Sequence, residues 1–132
     1  MTETWPVTIR GVTESIISTR AENDDYHVSA LGLNEGTPVT AITWGESRTR
    51  QNFEREGAGF VQFTRDPVAF VESALTDHSQ PDPILDGVDA WVHVDVDMID
   101  SGSGEGAEWV QWALQPTEST VEHRVVPVTN RG

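Results

Sequence analysis

The sequence predicts an all-β fold, an antiparallel barrel carrying two or three short helices. Three observations predict it. Short runs of alternating apolar and polar residues recur along most of the chain. Turn residues separate them at close spacing, with no room for the crossover helices of a doubly wound sheet. Only two stretches carry a cap followed by helical periodicity.

Taken in order, Thr13–Thr19 reads as a strand that ends in the polar turn Glu22–Asp25. Tyr26–Leu33 sets Tyr26, Val28 and Ala30 against His27, Ser29 and Leu31, and Asn34-Glu35-Gly36 breaks it before the β-rich run Thr37–Trp44. Ser47 is a natural N-cap, Glu46 and Arg50 stand four apart, and Gly57 suits a helix end, so Arg48–Glu56 is expected to be a short helix. Ala58–Arg65 reads as a buried strand. Asp66-Pro67 then opens a second helix, with Val68, Val71 and Leu75 at i, i+3 and i+7. Gln80–Gly87, carrying Pro81 and Pro83, is expected to be a loop. Ala90–Ile99, Glu108–Gln115 and Thr120–Val128 complete the strands, with Ser101–Gly104 as a flexible hairpin tip. The order is three strands, a helix, a strand, a helix and three strands, without an internal repeat, and the 132 residues are expected to form one domain.

Charge narrows the setting. Twenty-two Asp and Glu face eight positive residues, all Arg, for a net charge of −14. The acids are dispersed, so the chain repels itself in dilute buffer. At molar salt the Debye length falls to about 3 Å and screens that repulsion. A dispersed acidic surface without Lys reads as adaptation to a salt-rich cytoplasm. It offers no basic stripe for phosphodiesters, and nucleic acid is not an expected partner. Cysteine is absent, which removes disulfides and thiolate chemistry. No apolar run of about 18 residues suggests a membrane partner, and Met1–Arg10 has no signal-peptide pattern.

Two constellations could carry chemistry. In the first, three of the eight Arg lie between Arg48 and Arg55, where a helix begins. Free N–H groups and a positive dipole end suit an anionic phosphate there, and Thr49 and Asn52 share one helical face. The alternative is an exposed helix whose Arg side chains pair with Glu46, Glu54 and Glu56. In the second, His93, Asp95 and Asp97 share one strand face opposite Val92, Val94 and Val96. A cation could bind there, but the alternation is that of a half-buried strand with a solvated acidic face, and no metal is expected. Trp91, Trp109 and Trp112 are expected to pack in the core or between subunits. His27, His78 and His123 have no partner at triad or metal spacing, and no nucleophile motif is present.

Gly11–Leu75 resembles an archaeal family of unknown function, domain of unknown function four hundred and forty-seven, which is built on the FMN-binding split barrel and related to flavin reductases. Four motifs carry the resemblance. Gly11-Val12-Thr13-Glu14-Ser15-Ile16-Ile17-Ser18-Thr19 matches the family's opening, and Ser29-Ala30-Leu31-Gly32 occupies the place of an Ala-Pro-Met-Gly block, without its proline. Thr49 and Asn52 match a Thr-x-x-Asn pair opening a helix. Phe60–Thr64 runs into Asp66-Pro67, with Gln62 where the family often has Asn.

The resemblance implies a Greek-key split barrel, a homodimer, and FMN held near the subunit boundary. The residues it implies for the cofactor are Glu14, Ile16, Ser29, Ala30, Leu31, Gly32, Arg48, Thr49, Asn52 and Gln62, with the phosphate near Thr49. The implied function is a flavin-dependent oxidoreductase, reduced by a nicotinamide or a deazaflavin; the flavin carries the electrons, and no catalytic residue is nominated. The alternative is a non-catalytic flavin-carrying or structural dimer module. Family members also continue into a helical segment, so the sequence is expected to stop short of one.

Overall fold

The computed structural model describes residues 5–66, 78–104 and 106–121. Seven strands and one helix lie within them: β1 (Val12–Arg20), β2 (Tyr26–Asn34), β3 (Val39–Trp44), α1 (Arg48–Glu56), β4 (Ala58–Phe63), β5 (His78–Gln80), β6 (Ala90–Gly104) and β7 (Ala107–Val121). Neighbouring strands run in the order β1-β4-β6-β7-β3-β2, and β1 pairs back with β2 to close a six-stranded ring. Every pairing is antiparallel, as expected. β5 lies outside the ring, against the first residues of β2.

Alternation decides which side chains fill the ring. Ile17 on β1, Leu31 and Leu33 on β2, Val92, Val94 and Val96 on β6, and Val110, Trp112 and Leu114 on β7 share one buried cluster. Helix α1 adds Phe53, whose ring meets Trp112 edge-on at 5.2 Å. The indole N–H of Trp112 donates to Thr43 Oγ1 at 3.0 Å, so the buried polar atom is satisfied. Ser47 caps α1 by accepting from the Arg50 N–H at 3.1 Å. Gly57 ends it at φ +67°, a left-handed position that favours glycine, and its N–H donates to the Phe53 carbonyl.

Part of the outer face of β1, β2 and β4 is covered as well. Ile16, Ser18, Val28 and Gln62 point away from the interior yet are at most 1% exposed. The Leu85 N–H donates to Gln62 Oε1 at 2.7 Å, which draws the segment after β5 over that face.

Several expectations change. Ser101–Gly104 is paired strand rather than a flexible tip, so β6 and β7 form one long hairpin. Glu108–Gln115 and the start of Thr120–Val128 belong to a single strand, and the Pro116 interruption is absorbed by a register shift opposite His93 and Val94. A three-residue strand, His78–Gln80, ends on the first residue of the expected Gln80–Gly87 loop, the rest of which is bends and turns. The second helix and residues 122–128 lie outside the described residues.

Candidate functional site

The β1–β2 turn, the start of β2, one face of α1 and β5 enclose a cavity of about 370 Å³. Arg48, Gln51, Asn52 and Arg55 enter it from the helix, His27 from β2 and Ser79 from β5. The spacing of the helical contributors, 48, 51, 52 and 55, is that of one helical face.

The three Arg of α1 differ in what they face. Arg50 is bound by acids: Glu108 at 3.1 Å, Glu54 at 3.3 Å and Glu46 at 3.5 Å, with the Gly45 carbonyl also accepting from it. Its bond to Glu108, reinforced by Glu54, holds the guanidinium above its ordinary pKa. Ion pairing within the helix surface therefore accounts for Arg50. Arg55 pairs with Glu56 and donates to Asn52 Oδ1 at 2.9 Å and to the Arg20 carbonyl. Arg48 is exposed and makes no ion pair among the described residues. It presents positive charge to the cavity, whose lining also includes Glu22 from the β1–β2 turn.

Thr49 and Asn52 are both buried, at 6% and 4% exposure. Asn52 Nδ2 donates to Thr19 Oγ1 at 2.9 Å while its oxygen accepts from Arg55. The amide thus ties α1 to the end of β1 and fixes the guanidinium of Arg55 at the cavity.

The β2 block lies further along the ladder. Glu14 faces Gly32, Ser15 faces Leu31, Ile16 faces Ala30 and Ile17 faces Ser29. On its other edge β2 pairs with β5 at Tyr26–Val28 and with β3 at Asn34. Between those contacts, residues 29–33 have no ladder partner on that edge among the described residues. Alternate residues of Ser29, Ala30, Leu31 and Gly32 turn their backbone groups to that edge, and the Leu31 carbonyl accepts from Ser15 Oγ at 2.7 Å.

The sequence-derived set does not share one wall. Leu31 points into the core, Glu14 is exposed, and Ile16 and Gln62 lie on the covered outer face. Gln62 also donates to Ser18 Oγ at 2.7 Å, so both ends of its amide have protein partners. Conversely, the cavity includes His27, Gln51, Arg55 and Ser79, which sequence reasoning did not select. Arg55 was legible as the residue three after Asn52; His27 required the strand pairing.

His93 bonds Thr117 through Nδ1, and Asp95 and Asp97 are exposed. Among the described residues no group of three His, Cys, Asp or Glu could hold a metal, and no helix is long and apolar enough to cross a membrane.

The family described as protein of unknown function (DUF447), N-terminal domain, matches residues 13–123. No curated protein matches the chain at a significant level. An FMN-bound DUF447 protein from Methanosarcina mazei is similar at 20% identity with a TM-score of 0.68, over 87% of this chain and 63% of its own. The chain thus spans less than two-thirds of that protein. The styrene monooxygenase flavin reductase from Pseudomonas putida S12 aligns at 13% identity and a TM-score of 0.59, over 85% of this chain and 82% of its own. A flavin reductase complexed with NADP+ aligns at 13% identity and 0.56, over 87% and 83%. At these identities the likeness establishes the fold: the expected split barrel is present.

Proposed function

The chain belongs to the DUF447 N-terminal domain family, and on that premise we propose that it binds FMN and serves as a flavin-dependent oxidoreductase. The observation that carries this reading is the cavity beside α1, where Arg48 from the first turn and Arg55 from the last turn of the helix line one wall in a chain of net charge −14. Arg48, which has no ion pair among the described residues, is the cation there that an anion could engage.

The residues present fit the cofactor. Arg48, with Arg55 two turns along the same helical face, would hold the phosphate, and the Thr49 hydroxyl beside Arg48 is the contact the family pattern implies. Asn52 is a positioning residue in this reading, acting through Arg55. The edge of β2 at Ser29–Gly32, which has no ladder partner among the described residues, would receive the polar edge of the flavin ring. Glu14 lies opposite Gly32 at its end, while Ile16 and Gln62 support the strands from behind. Bound FMN would supply two-electron redox chemistry, and the protein binding, orientation and exclusion of water.

The FMN-bound family member and the flavin reductases of the same fold support this assignment. A reduced nicotinamide is the favoured electron donor, because a flavin reductase of this fold is complexed with NADP+; a deazaflavin is the alternative. A salt-rich haloarchaeal cytoplasm is further proposed from the dispersed acids and the lack of Lys, and a homodimer from the family resemblance, with residues 1–132 as one domain.

Purification in molar potassium chloride, followed by a visible absorption spectrum and a titration with FMN, tests the reading. Saturable FMN binding with reduction by a nicotinamide is expected. A protein that binds FMN no better than albumin would overturn it.

A further inference from the structure

The opposite face of the β1–β2 hairpin carries a second cavity, of about 220 Å³, lined by Arg20, Tyr26, Glu56, Ala58, Gly59, Phe60 and His93. Its aromatic groups surround Phe60. Tyr26 meets that ring at 6.0 Å, Trp91 at 5.8 Å and His93 at 4.9 Å, all at steep interplanar angles of 60–80°. Edge-to-face packing leaves ring faces available to an inserted planar group.

His93 is held in one orientation by an irregularity in β7. His93 pairs with Glu118 and Val94 with Pro116, so Thr117 is the extra residue of a bulge. Its Oγ1 lies 2.6 Å from His93 Nδ1 and donates to the His93 carbonyl at 3.2 Å. A hydroxyl has one hydrogen, so both contacts are satisfied together only when Nδ1 is the donor and Thr117 accepts. In the neutral ring that leaves Nε2 with its lone pair, an acceptor on a histidine that lines the cavity.

We propose that this cavity is a binding site for a small, neutral, single-ring phenol, whose ring packs among Tyr26, Phe60 and His93 and whose hydroxyl donates to His93 Nε2. Size admits one ring: an apolar cavity of about 150 Å³ already holds benzene. Charge selects a neutral ligand. Arg20 is paired with Asp24 at 2.9 Å, and Glu56 lies on the same wall, so an aromatic carboxylate gains no free cation. The site is separate from the cationic cavity and does not depend on the FMN assignment.

The test uses the whole protein in molar potassium chloride and compares phenol with fluorobenzene, a ligand of nearly the same shape without a donor. Binding is read by NMR titration of the His93 and Tyr26 ring signals. Phenol should bind roughly three- to tenfold more tightly than fluorobenzene, the contribution of one hydrogen bond. His93→Phe should bring that ratio to about one while fluorobenzene still binds. Thr117→Val, which frees the imidazole to change tautomer, should reduce the ratio without abolishing it. Equal affinities for the two ligands in the parent protein would overturn the proposal, as would a ratio unchanged in His93→Phe or the absence of saturable shifts at these rings.

Discussion

Arg48→Gln is the sharpest perturbation of the cationic cavity, because Arg48 makes no ion pair among the described residues and its loss leaves the fold intact. Arg50 would be a poor choice, since three acids and a carbonyl hold it. A charge-assisted hydrogen bond is worth about 1.5–3 kcal/mol, and the exposed position of Arg48 places it at the lower end. Molar salt shortens the Debye length to about 3 Å, which removes long-range attraction but not a direct contact. The expected loss is therefore about 1.5 kcal/mol, roughly tenfold in Kd for FMN. Adding Thr49→Ala removes a buried hydroxyl beside it and should extend the loss to between ten- and several-hundred-fold. Riboflavin, which lacks the phosphate, should bind parent and variants nearly alike. Quenching of flavin fluorescence, measured for both ligands at matched salt, separates these outcomes. If FMN binds the double variant as it binds the parent, the phosphate lies elsewhere; if both flavins weaken together, the damage is to the fold.

Thermal unfolding followed by circular dichroism should show stability rising from low to molar potassium chloride, and equal melting across that range would refute the reading of the acidic surface. Phe53→Ala should cost about 3–5 kcal/mol in chemical denaturation, because the ring is 1% exposed and links α1 to Trp112. Thr19→Val leaves the Asn52 amide without its buried acceptor and should cost about 1–3 kcal/mol; FMN should weaken with it as Arg55 loses its anchor, and an unchanged Kd would deny Asn52 its positioning role. Asp95→Asn with Asp97→Asn should leave FMN affinity unaltered and lower the salt needed for folding, whereas lost FMN binding would show a role for that strand face.

What the sequence made legible follows from the range of each interaction. Helix α1 was readable to the residue, because Ser47 and Gly57 cap it through local backbone bonds. The strands of the barrel were readable from alternation, since one face of each meets the same core. The extent of β6 and β7 was not. Glycines and serines at 101–104 signal a turn, yet pairing with residues 107–110 carries the ladder through them. Pro116 signals a strand end, yet a bulge accommodates it. β5 was hidden because three residues hold too little pattern, and only the edge of β2 makes them a strand. For the site, the helix-borne cluster was visible as a local excess of Arg. His27 and Ser79 reach the same cavity through cross-strand pairing, which no local pattern encodes.

The two motif amides show why a family pattern and a contact list differ. Asn52 and Gln62 look like ligand-binding groups because amides both donate and accept. In the fold each has its donor and acceptor engaged by protein: Asn52 by Thr19 and Arg55, Gln62 by Ser18 and Leu85. A buried amide left half-satisfied costs more than the bonds it makes contribute, so these side chains are held to their partners. Asn52 fixes the guanidinium that faces the cavity, and Gln62 fixes the segment that covers the barrel's outer face. Their substitution would move a neighbour first and a ligand second. Arg55, at the end of the Asn52 chain, is the charged residue of the two networks that faces the cationic cavity.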